Sequence, residues 1–93
     1  MEIEYDPAKR DRTLRERGLN FDDAVHVFTG FYLTRTDDRK NYGEVRYITL
    51  GALCEAPVVV VWTERGDAIR VISMRIADDE ERKIYRGELD RSR

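Results

Sequence analysis

A single cysteine, Cys54, and a single histidine, His26, stand in a chain of 93 residues. One cysteine forms no internal disulfide and supplies no thiolate-rich metal site, and one histidine leaves no pair for zinc and none for a proton relay. Long apolar runs are also missing. The longest, Ala56 to Trp62, has seven residues and contains Pro57, far short of the about 20 needed for a membrane span. Met1-Glu2-Ile3-Glu4-Tyr5-Asp6 has neither a basic head nor an apolar stretch, so no signal peptide is expected. Lysine is scarce: of 17 basic residues only Lys9, Lys40 and Lys83 are lysine, and 14 are arginine. No excess of one sign exists either, because 19 acidic residues bring the formal net charge to −2.

What is present describes a folded, heavily charged domain. Hydrophobic residues make up 41% and charged residues 39%, and nearly cancelling charge argues against disorder. Residues 1–93 are expected to form one domain, in a reducing cytoplasm. Arginine offers a fixed planar fork that fits phosphate and carboxylate and stacks on bases. An arginine-rich surface on a mildly acidic chain points to local anion recognition or to many ion pairs, and not to general nucleic-acid affinity.

The order of elements follows from local signals. Glu2 to Tyr5 alternates as a short strand. Asp6 caps a helix over Pro7 to Arg17, closed by Gly18, with Ala8 and Leu14 as its inward candidates. Asn20 or Asp22 caps a second short helix, whose stripe is Phe21, Ala24, Val25 and Phe28, with His26 facing solvent. Strands are expected at Phe31–Thr36, Tyr42–Leu53, Val58–Thr63 and Ala68–Ile76. The Val58–Thr63 strand is apolar on both faces and so central, and Cys54 is read as a small apolar filler before Pro57. Asp78 with Glu81 forms a capping box for a last helix that turns Ile84 and Tyr85 inward. Four consecutive strands flanked by helices predict an α+β domain: an antiparallel sheet of about four strands, two N-terminal helices, one C-terminal helix, and helices on one face. The other face is where function is expected.

Arg70, Ser73 and Arg75 lie on the Ala68–Ile76 strand, with Glu64 at the hairpin and Tyr85 on the helix that follows. Strand alternation sets Arg70 apart from Ser73 and Arg75 unless a bulge intervenes. Arginines beside a phosphodiester can stabilise a pentacoordinate transition state, and a glutamate can take a proton from an attacking hydroxyl. In RNA that hydroxyl is the substrate's own 2′-OH, so neither metal nor cofactor is required. Composition alone equally allows a non-catalytic nucleic-acid or protein-binding module with an arginine-lined face, its arginines paired to Glu64 or Glu44.

The stretch from Trp62-Thr63-Glu64-Arg65-Gly66-Asp67 through Arg70, Ser73 and Arg75, then Glu81-Arg82-Lys83-Ile84-Tyr85, resembles BrnT-type toxins. Tyr5-Asp6-Pro7, Phe21-Asp22-Asp23-Ala24 with Val27-Phe28, and Asp38-Arg39 with Tyr42-Gly43-Glu44-Val45-Arg46 agree in order and spacing. At the end of the first helix that family often carries Asn-x-x-Lys-His-Gly; here Thr13 to Gly18 keeps only the glycine, with Arg17 in the histidine's place. The resemblance implies a RelE-like fold and a metal-independent endoribonuclease toxin of a type II toxin–antitoxin system, which arrests growth. It implies Glu64, Arg70, Arg75 and Tyr85 as catalytic residues, and Arg46, Arg65, Ser73, Arg39 and Tyr42 as substrate contacts. It also implies RNA as substrate and a BrnA-like antitoxin as partner, with DNA met only through that antitoxin.

Overall fold

The computed structural model describes residues 1–93. Its elements are β1 (Glu2–Glu4), α1 (Pro7–Arg17), a 3-10 turn (Phe21–Asp23), α2 (Ala24–Val27), β2 (Tyr32–Thr36), β3 (Tyr47–Leu53), β4 (Ala56–Arg65), β5 (Ala68–Ile76) and α3 (Asp79–Ser92). No helix is long and apolar enough to cross a membrane.

The helix ends form where their capping chemistry directs. Asp6 accepts from Ala8 N at 3.0 Å, and Gly18, at φ 70°, donates its N–H to the Leu14 carbonyl. Asn20 accepts from Asp22 N. Asp78 and Glu81 close a reciprocal capping box on α3. Neither Ala8 nor Leu14 is buried, so α1 lies peripherally and the chain is anchored just beyond it by Leu19 and Phe21.

The sheet has five strands in the order β1-β5-β4-β3-β2, rather than four. β2 to β5 form the expected antiparallel meander, but β1 adds a parallel edge, pairing Glu2 with Ala68 and Glu4 with Arg70. That pairing joins residues 66 apart, beyond the reach of local pattern. Past the end of this short strand, α1 guards the open edge of β5: Arg17 Nη1 donates to the Met74 carbonyl at 2.9 Å, occupying a group that would otherwise invite another strand.

β4 occupies the centre. Val58 and Val60 are fully buried with Phe21, Ala24, Val27, Val71 and Met74 under α1 and α2. Val59 points the opposite way and is also buried. Gly51 of β3 permits the closest approach of α2, since a Cβ there would lie 2.6 Å from Val27 Cγ1.

The helices do not all lie on one face. Glu81 and Ile84 of α3 line a hollow with Leu33, Ile48, Leu50 and Val59, on the side opposite α1 and α2. Ala77 N donates to the Pro57 carbonyl at 3.0 Å, and the capping box then starts α3 directly after β5. Two further expectations change. β3 begins at Tyr47 rather than Tyr42, because residues 37–46 form a tied loop in which Asp37 N donates to the Arg46 carbonyl. Cys54 is exposed and sits with Glu55 at φ 50° and 70° in the tight β3–β4 turn, so it fills no core space.

Candidate functional site

The register of β4 against β5 shifts between Val61 and Trp62: Val61 pairs with Ser73 and Trp62 with Val71, leaving Ile72 as the extra residue of a bulge. A bulge reverses the alternation of faces beyond it. Arg70 therefore falls on the same face as Ser73 and Arg75, the face opposite the α1–α2 core. This resolves the conflict of alternation along β5.

The loop between β2 and β3 folds against that face. Thr63 Oγ1 donates to the Val45 carbonyl at 2.6 Å. Asp37, buried at the loop's root, accepts from Arg39 Nε and Nη2, both at 2.7 Å. The Arg39 guanidinium holds the Asp37 carboxyl well below the usual carboxylate range. Arg46 lies over the Tyr42 ring, 4.1 Å from its centroid.

Where this loop, the start of α1 and the β4–β5 hairpin meet, a pocket of about 190 Å³ opens. Lys9, Arg46, Arg65 and Arg70 line it, with Asp6 and Glu44, and Val71 and Ile72 of the bulge complete its wall. Glu44 bridges two of the arginines, accepting from Arg46 Nε at 3.1 Å and Arg65 Nη2 at 3.2 Å. Arg70 Nη1 donates to Glu4 at 2.9 Å. A guanidinium has five N–H donors, so these contacts leave donors available for an anion. Asp6 is engaged in capping α1.

Arg75 stands further along the same face, bound through both Nη atoms to Glu81 at 2.7 and 2.9 Å. The pair lowers the Glu81 carboxyl to about 2 and raises the Arg75 guanidinium, first through these hydrogen bonds. The charge of Arg39 opposes the rise at Arg75, which places the two cations in one electrostatic neighbourhood.

Two of the expected catalytic residues lie elsewhere. Glu64 is on the face of Trp62 and accepts from Tyr47 Oη at 3.3 Å, so the sheet separates its carboxylate from Arg70. Tyr85 is buried and donates its hydroxyl to the Phe31 carbonyl at 2.9 Å. The structure thus brings together Arg46, Arg65 and Arg70, aligns Ser73 and Arg75 with them, and sets Arg39 and Tyr42 on the adjoining loop. Glu44 and Lys9 join the pocket, though the sequence marked neither as functional. Glu44 carried one signal, its position two residues before Arg46, which in this loop lets it reach that guanidinium.

An α+β domain that gathers Arg46, Arg65 and Arg70 beside the part of the sheet face left open by α3, with Glu44 between two of them, has the chemistry to bind anions. Residues 5–81 match the family described as the ribonuclease toxin, BrnT, of type II toxin–antitoxin systems, and the chain belongs to that family. The match runs from Tyr5, just past β1, into α3 and includes the whole pocket, but stops short of Tyr85. Membership of a type II system implies an antitoxin partner. No curated protein matches the chain.

Proposed function

We propose that this chain is a metal-independent endoribonuclease that cleaves RNA by attack of the 2′-hydroxyl on the neighbouring phosphorus, in the pocket between α1, the 37–46 loop and the β4–β5 hairpin. The observation carrying this reading is Glu44 held between Arg46 and Arg65 in a pocket shared with Arg70 and Lys9. The arginines bind the scissile phosphate and offset the charge that grows on its equatorial oxygens. Glu44 takes the 2′-hydroxyl proton as the O2′–P bond forms. The P–O5′ bond breaks, the departing 5′ oxygen takes a proton from solvent in the open pocket, and the products are a 2′,3′-cyclic phosphate and a 5′-hydroxyl. The nucleophile belongs to the substrate and is already adjacent, so positioning supplies much of the acceleration. Ser73, Arg75, Arg39 and Tyr42 extend the face for neighbouring phosphates and bases.

In this reading the protein is a RelE-like toxin of the cytoplasm that arrests growth by depleting RNA. A BrnA-like antitoxin with a DNA-binding domain neutralises it by covering this face. The test is cleavage of single-stranded RNA in excess EDTA by purified chain freed of any partner. Glu44→Gln is expected to slow it about 10²- to 10⁴-fold, the usual worth of a positioned proton acceptor. Binding of RNA with no cleavage by the folded wild type would favour the non-catalytic binding module instead.

A further inference from the structure

Neighbouring residues at the end of β4 serve opposite sides of the sheet. Arg65 lines the basic pocket, whereas Glu64 lines a second hollow, of about 440 Å³, with Phe28, Tyr32, Tyr47 and Trp62. The rings there are fixed in place. Tyr47 stacks on Trp62 with centroids 4.6 Å apart, and Phe28 meets Trp62 and Tyr32 edge-on at 5.5 and 5.2 Å. Trp62 Nε1 donates to Thr49 Oγ1, which shares a 2.8 Å hydrogen bond with Thr34. The Tyr47 hydroxyl holds the Glu64 carboxylate at the rim. Tyr32 is 43% exposed and Glu64 is exposed, so both ring surface and acceptor remain open to a ligand.

We infer that this hollow is a base-recognition subsite that takes an unstacked guanine of the RNA, an inference resting on the ribonuclease reading of the basic pocket. Sequence-selective readers of single-stranded RNA splay a base out, stack it on aromatic rings and bond its Watson–Crick edge. Ionised glutamate is acceptor-only, with two oxygens. Guanine alone among the RNA bases presents two adjacent donors, N1–H and N2–H, on that edge, so a carboxylate at the rim selects it. The two hollows share the β4–β5 hairpin, Glu64 and Ile69 facing one and Arg65 and Arg70 the other. A strand folded over the hairpin tip sets its phosphates among arginines and a base on the rings. Charge complementarity on the far side of the tip is what favours RNA over a peptide here.

Trp62 is the only tryptophan, so its fluorescence reports on the hollow directly. The probe is a set of short 2′-O-methyl oligonucleotides, which lack the attacking hydroxyl, differing only in one central base. The guanine probe is expected to quench Trp62 and to bind about ten-fold or more tighter than its adenine, cytosine and uracil counterparts, within the about 5- to 150-fold by which a bidentate hydrogen-bonded contact discriminates against the wrong base. Glu64→Gln, checked for an unchanged melting temperature, is expected to erase that preference, and Tyr32→Ala to weaken the quenching. Equal binding of all four probes, no quenching, or a preference that survives Glu64→Gln overturns the subsite. Cleavage of RNA by wild-type protein with no guanine effect removes the subsite alone, whereas guanine-selective quenching without any cleavage removes the ribonuclease reading alone.

Discussion

Tyr85 Oη donates to the Phe31 carbonyl at 2.9 Å, tying α3 to the start of β2 across 54 residues of chain. The two rings also pack, with centroids 5.8 Å apart. A tyrosine engaged in this way fastens the C-terminal helix. Tyr85→Phe is expected to lower stability by about 1 kcal/mol, by leaving a carbonyl without its donor. Urea denaturation measures this, and RNA cleavage is expected to fall only with the folded fraction. A loss of several hundred-fold in fully folded protein would return the hydroxyl to the chemistry.

Gly51 is required by the close approach of α2. A Cβ added there meets Val27 Cγ1 at 2.6 Å and Tyr32 Cβ at 3.3 Å, so Gly51→Ala is expected to destabilise by about 1–3 kcal/mol through overpacking. Thermal melting of the variant checks it. Gly30→Ala, which meets nothing within 4 Å, is the matched control.

The Arg75–Glu81 pair makes stability depend on acid. Glu81 falls from an ordinary 4.5 to about 2 in the folded chain, so the unfolded state binds the proton more readily. Its contribution is full above about 4.5 and is lost as pH drops through about 2. With Arg75 46% exposed, the gain is at most about 1 kcal/mol. Unfolding of the wild type between these pH values is expected to weaken more steeply than that of Arg75→Ala. Parallel curves would contradict the pair's role.

Binding at the basic pocket is expected to depend on salt. Lys9, Arg46, Arg65 and Arg70 line it, and contacts from three or four of them give a slope of log K against log salt between about −2 and −3 for single strands. Arg70→Ala should make the slope shallower by about 0.7, measured with a 2′-O-methyl oligonucleotide. An unchanged slope would place the phosphate elsewhere.

Local chemistry made much of the fold legible. Asp6, Gly18, Asn20 and the Asp78–Glu81 box cap the helices as their spacing indicates, and the valines Val58 to Val61 mark the central strand. Non-local pairing was not legible. Nothing within Glu2–Glu4 says that it lies parallel to Ala68–Arg70, nor that α3 crosses to the face opposite α1. At the site, alternation pointed to the need for a bulge, but no glycine marks Ile72 as its position. Glu44 and Lys9 come from a loop and a helix start that meet the hairpin only in three dimensions. Glu64 sits beside Arg65 in sequence, yet strand geometry sends the two to opposite faces.

Product ends test the central claim most directly. End analysis of RNA incubated with the purified chain in EDTA is expected to show 2′,3′-cyclic phosphates, or the 3′-phosphates they open to, opposite 5′-hydroxyls. A 2′-deoxy substitution at the scissile nucleotide is expected to block the cut. Fragments ending in 3′-hydroxyl and 5′-phosphate, or cutting that persists at the 2′-deoxy site, would contradict attack by the substrate's own hydroxyl.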